Sequence, residues 1–140
     1  MREIKFRAWD KKSKRMRKVD SIAFDELTGE IKLVNSWGED IIEDKPIIVQ
    51  REKNFELLQY TGLKDKNGKE IYGGDIIEGG YLNPLTNEFY SRKYIIEYKN
   101  ATFAGKLIGH SPYGDTWLNF IHGEVIGNIY ENPELLEVEL

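Results

Sequence analysis

The stretch from Leu57 to Ile77 constrains this chain more than any other, because it is a hairpin written in local signals. Two β-favouring runs, Leu57 to Leu63 and Glu70 to Tyr72, flank a polar tip, Lys64 to Lys69. Within the tip, Asn67-Gly68 supplies the positive φ angles that tight hairpin turns require, which Gly, and next Asn or Asp, adopts with least strain. Gly73-Gly74-Asp75 turns the chain again, and a fresh apolar strand starts at Ile76. A chain with this centre is committed to antiparallel pairing.

The flanks follow the same pattern. Ile4, Phe6 and Ala8 alternate with Lys5, Arg7 and Trp9, a period of two that predicts an opening strand. Asp10-Lys11-Lys12-Ser13-Lys14 is a charged turn, and Arg15 to Val19 returns. Ser21 to Phe24 and Glu30 to Val34 make a second hairpin around Asp25-Glu26-Leu27-Thr28-Gly29, with Gly29 at the left-handed position. Asn35 to Lys45 is polar and reads as a connection or weakly paired edge; Pro46 to Gln50 is a short strand. The charged run Arg51 to Asn54 marks a boundary between subdomains, 1–52 and 53–140.

Beyond the central hairpin, Asp75 to Glu78 is a strand, and Gly79-Gly80 through Glu88 a loop broken at Pro84. Lys93 to Lys99 is apolar on both faces, as a central strand would be. Thr102 to Ile108 is a further strand, with a bulge or close contact at Gly105. Trp117 to Ile121 and Glu124 to Tyr130 complete the sheet. Asn132-Pro133-Glu134 then reads as an N-cap, a first-position proline and a first-turn acid, starting one helical turn. Tyr60, Ile71, Ile76, Ile96, Ile126 and Ile129 are the expected C-terminal core. Ile4, Phe6, Ile22 and Phe24 are the expected N-terminal cluster.

Three segments resemble one family. Lys5-Phe6-Arg7-Ala8-Trp9-Asp10, the run from Gln59 to Tyr72, and the run from Val125 to Leu136 are similar to the opening, middle and closing motifs of the YopX-like proteins of bacteriophages and prophages. The resemblance covers the chain from end to end. It departs from the family at Gly73, where the family carries a Glu. It implies a bacterial host cytoplasm and an SH3-like barrel, and brings no established biochemical activity. The fold class expected is therefore mainly β: N-terminal β-hairpins, a C-terminal SH3-like, strongly bent antiparallel barrel, and one short C-terminal helical turn.

Composition closes off several functions. The chain of 140 residues has no cysteine, hence no disulfide, thiol nucleophile or thiolate metal site. Its longest aliphatic run, Ile47-Ile48-Val49, is far below the ~20 residues of a membrane helix. The opening Met-Arg-Glu-Ile-Lys has no apolar core behind its charges, so no signal peptide is expected. Asn100-Ala101-Thr102 matches a glycosylation acceptor by chance. A calcium loop centred on Gly68 would need acids where Leu63 and Gly74 stand. Gly105-Lys106 is followed by Leu107 and has no phosphate-loop partner glycine. No cofactor or metal is expected.

Charge is unevenly spread about a net of −4. Residues 1–20 hold nine Lys/Arg against three Asp/Glu, and residues 121–140 hold five Glu and no Lys or Arg. The basic hairpin residues Lys11, Lys12, Lys14, Arg15, Arg17 and Lys18, with the loop tyrosines Tyr81 and Tyr113, are the candidate contact residues. The leading function is a non-enzymatic module that binds an unknown protein partner or self-associates. Nucleic-acid binding through Lys11 to Lys18 is the alternative. A hydrolase built on His110 or His122 is a distant third, since those loops give no geometry for a base and nucleophile.

Overall fold

The structure, a computed structural model, describes residues 3–37, 46–49, 55–82, 84–109, 116–117 and 123–137. It is mainly β, with a 3-10 turn at Pro133–Leu136 as the one helical element among the described residues. No helix among the described residues is long and apolar enough to cross a membrane. The chain forms two compact units, 3–59 and 60–140.

In the first unit, β1 (Phe6–Asp10) pairs antiparallel with β2 (Arg15–Lys18), and β3 (Ser21–Phe24), β4 (Ile31–Trp37) and β5 (Pro46–Val49) form a second sheet in that order. Pro46 thus begins an edge strand, where its missing N–H breaks no inner ladder. The other side of β1 pairs with residues 55–59, the first half of β6 (Phe55–Lys64). Ala8, Val34 and Phe55 are the buried centre, with Val19, Ile22, Ile31 and Leu57 packed around them. Two residues of the expected cluster lie elsewhere: Ile4 is 70% exposed and Phe24 59%. Ile4 precedes the first strand, so the alternation that starts there has no partner strand to bury it. Phe24 sits where the β3–β4 register slips, Ala23 facing Leu33 but Phe24 facing Ile31, with Lys32 the extra residue. A bulge breaks the period-two rule that placed Phe24 on the packed face with Ile22.

In the second unit, the later half of β6 pairs with β7 (Glu70–Tyr72). A five-stranded antiparallel sheet follows, of β8 (Asp75–Leu82), β9 (Phe89–Lys99), β10 (Thr102–Leu107), β11 (Thr116–Trp117) and β12 (Gly123–Asn128). Its order is β11-β10-β9-β8-β12, with β9 central as its two apolar faces require. The sheet curls into a half-barrel of the SH3-like kind. Ile71, Ile77 and Ile96 form its core, with Phe103 and Val125 against them. Tyr60 and Ile76 are also buried, while Ile126 and Ile129 are half-buried.

Four local expectations are corrected. Gly79 and Gly80 are not loop residues; they extend β8 and face Arg92 and Ser91. Gly105 makes no bulge, since the β9–β10 register runs unbroken through it; the slip is at Ile126, between Val125 and Gly127. Asn132 makes no side-chain cap on the 3-10 turn. Its Oδ1 instead accepts from the Asn128 N–H at 3.2 Å, tying the turn back to β12. At the β6–β7 tip only Gly68 has a positive φ, +82°. Asp65 takes the first position of a turn closed by Gly68 N–H to Asp65 O at 3.0 Å, the arrangement an Asp at the first position and Gly at the fourth favours. Gly68→Ala is expected to destabilise the protein by about 1 kcal/mol, since the space beside Gly68 is open and only its backbone angle resists a Cβ. Chemical denaturation measures it.

Candidate functional site

The basic hairpin is organised by an acid. Asp10 ends β1, and its side chain is almost wholly covered. Its Oδ1 accepts the backbone N–H groups of Lys12 (3.0 Å) and Ser13 (3.4 Å), while Oδ2 accepts the Ser13 hydroxyl (2.8 Å) and Arg17 Nε (3.0 Å). Arg17 Nη2 also donates to Ser13 Oγ at 3.2 Å. Lys14 N–H to Asp10 O, at 2.8 Å, closes the turn. Short polar side chains satisfy turn amides in this way where a strand ladder has ended.

These contacts set the Asp10 ionisation. Burial pushes its carboxyl up, but the bonds from Ser13, Arg17 and the Lys12 and Ser13 amides together hold it below the usual carboxylate range. Asp65 behaves alike: burial raises it, and the N–H groups of Val125, Lys69 and Asn67, with the nearby Lys69 charge, lower it overall. A carboxylate with a depressed folded-state pKa stabilises the fold above its unfolded pKa of about 3.9, and that contribution is lost as pH falls through the folded value. Urea denaturation should therefore show stability falling below about pH 4, and Asp10→Asn should flatten that part of the curve while lowering stability at neutral pH.

The six basic candidates are thus not equivalent. Arg17 is drawn into the turn and does not present its charge. Lys11 pairs with Glu56 Oε1 at 3.1 Å in an exposed ion pair, worth at most about 1 kcal/mol. Arg15 is exposed on β2 opposite Asp10. Lys12, Lys14 and Lys18 are exposed, and their ammonium groups have no ionic partner among the described residues. Tyr81 lies within β8 opposite Tyr90 rather than in a loop. Tyr113, His110 and His122 lie outside the described residues. Among the described residues no group of three or more His, Asp or Glu side chains is placed to hold a metal ion.

The same turn occurs a second time. Asp25 Oδ1 accepts the Leu27 and Thr28 N–H groups at 2.9 and 3.0 Å, and Gly29 N–H bonds Asp25 O at 2.9 Å. The Thr28 and Leu27 amides hold the Asp25 carboxyl below its usual range. Both turns thus read Asp-x-x-Ser/Thr and close four residues on at a left-handed position. Gly29 fills it in one, with φ +73°, and Lys14 in the other, with φ +55°.

The arrangement of hairpins and curled sheet recurs in solved proteins. Protein EF1440 from Enterococcus faecalis is 28% identical, with a TM-score of 0.63 over 98% of this chain and 100% of that one. Protein yopX from Bacillus subtilis is 22% identical, with a TM-score of 0.66 over the whole of both chains, a likeness of fold. The family model described as YopX protein matches residues 5–137. The chain belongs to the YopX family. No curated protein matches it. The match of this YopX chain spans the Asp10 turn, the Asp25 turn and the central hairpin alike.

Proposed function

We propose that this YopX-family chain is a non-enzymatic binding module of phage or prophage origin, working in the bacterial cytoplasm, and that its first hairpin docks an acidic protein surface. The observation that carries the reading is the backbone of Lys14. A left-handed conformation costs an L-residue roughly 1–2 kcal/mol, and strain of this kind is enriched at ligand clamps and switch regions. At the matching place in the Asp25 turn stands glycine, for which that conformation carries no penalty. The Lys14 ammonium makes no ion pair among the described residues that would offset the strain. Asp10 holds the backbone of the tip in one shape, so Lys12 and Lys14 project from fixed backbone positions and docking has only their side chains left to order. A second copy of the chain is one such partner, since residues 121–140 carry five Glu and no Lys or Arg.

Lys14→Gly tests this without harming the fold. It should leave stability unchanged or raise it by up to about 1 kcal/mol in thermal melts. Combined with Lys12→Ser, it should abolish salt-sensitive cross-linking to a partner, or to a second copy, in bacterial extract. Equal cross-linking by wild type and variant would refute the docking role. The same amines could instead meet phosphates. With Arg17 taken up by Asp10, three free ammonium groups would give a salt slope near −3 on duplex DNA, at ~0.9 per phosphate, against about −5 for six. A gel shift with that slope would favour nucleic acid over protein.

A further inference from the structure

Asn67 is the one asparagine in the sequence followed by glycine, and both residues are exposed at the β6–β7 tip. A glycine on the C-terminal side leaves the backbone nitrogen open, with no Cβ in the way of its attack on the asparagine side chain. At this tip both reacting groups are engaged. The nucleophile, Gly68 N–H, donates to Asp65 O at 3.0 Å. The electrophilic amide of Asn67 is held by Nδ2 donating to Glu124 Oε2 at 3.0 Å. Asp65 fixes the turn from beneath, its Oδ1 accepting the N–H groups of Asn67 and Lys69 at 2.9 Å each and its Oδ2 that of Val125 at 2.9 Å. Lys66 N–H adds a bond to Gly123 O at 3.0 Å. The tip is therefore clamped to β12.

We propose that Asn67 is a deamidation site gated by the Asp65–Glu124 clamp, so that the modification proceeds when the tip detaches from β12. In the reaction Gly68 N loses its proton and bonds to Asn67 Cγ, the Cγ–Nδ2 bond breaks, and ammonia leaves carrying that proton. Water then opens the cyclic imide at one of its two carbonyls, giving aspartate or isoaspartate at position 67. The net change is amide plus water to carboxylic acid plus ammonia. The product cannot re-form the clamp: the donor to Glu124 is gone, and two carboxylates face each other where one amide-to-carboxylate bond stood. The isoaspartyl form also adds a backbone carbon to a turn whose closing bond, Gly68 N–H to Asp65 O, tolerates none. Deamidation would thus loosen the central hairpin from β12 irreversibly.

Peptide mapping by mass spectrometry during incubation in mildly alkaline buffer tests this on the full chain. Conversion at Asn67 should be fast in denaturant and many-fold slower in the native protein. It should be several-fold faster in Glu124→Ala than in wild type, both folded. Glu124→Gln keeps an acceptor for Nδ2 and should stay as protected as wild type, which separates the clamp from general destabilisation. Native conversion as fast as that of the denatured chain would overturn the gate. So would equal rates in Glu124→Ala and wild type, or equal acceleration by the Gln and Ala variants. No conversion in denaturant would overturn the site itself.

Discussion

Gly123→Ala is expected to be among the most destabilising single substitutions in this chain. A Cβ at this position would be driven into the carbonyl oxygen of Glu78, with Gly79 Cα at 2.7 Å and Glu78 C at 2.8 Å. All three are backbone atoms of β8, so no side chain can swing away to make room. Gly123 and Gly79 face each other in the β12–β8 register, two residues without side chains where backbone lies against backbone. The Gly123 carbonyl also receives the Lys66 N–H from the central hairpin, so moving the strand breaks that bond too. The expected loss is about 3 kcal/mol or more, beyond ordinary overpacking because backbone must move. Gly68→Ala is the proper comparison, since it adds the same atom in open space and tests backbone angle alone. If the two variants lose similar stability by urea denaturation, the close approach of β12 to β8 is wrong.

Much of this fold was legible because strands and turns carry local chemistry. The central hairpin has its alternating runs and its Gly68, and the Asp25 turn has its Gly29. What failed did so where non-local pairing decides. Gly79 and Gly80 look like loop residues, yet they hold places inside β8, and Gly79 faces Gly123. Nothing near them in sequence announces a strand more than forty residues later. The β9–β10 connection was legible in its ends, Lys99 and Thr102, but not in its turn type. Asn100 and Ala101 have φ of +51° and +62°, the two left-handed angles of a two-residue hairpin turn, but alanine in the second place gives no turn signal. Bulges at Lys32 and Ile126 likewise depend on the partner strand and leave no mark in the period-two pattern.

The candidate site was legible as a charge run and illegible as an arrangement. Counting Lys11 to Lys18 finds the cations but not the one acid that shapes them, because Asp10 reads as part of a charged turn. The available signal was the repeated Asp-x-x-Ser/Thr, present at Asp10 to Ser13 and Asp25 to Thr28, which places a carboxylate under two turn amides. That pattern would have set Arg17 apart from the free lysines only with the strand register in hand, since Ala8 faces Arg17 and brings it alongside Asp10.

The second large effect belongs to Ile96→Ala. Ile96 lies in β9, the middle strand of the five, and is 1% exposed. It is enclosed by Ile71, Ile77, Phe103 and Val125, contributed by four other strands. Its own carbonyl accepts the Gly74 N–H at 2.7 Å, which fixes the turn before β8 against β9 and limits how far the backbone can sink into a vacated space. Deleting three carbons there removes their transfer free energy and leaves a cavity whose walls come from separate strands, an arrangement that collapses poorly. The expected loss is about 2–5 kcal/mol, read as a lower urea midpoint with an unchanged slope. Leu27→Ala is the control: Leu27 is 96% exposed on the Asp25 turn, so its truncation should fall within about 0.5 kcal/mol of wild type. An Ile96→Ala loss no larger than the Leu27→Ala loss would mean that β9 is not the strand around which the half-barrel packs.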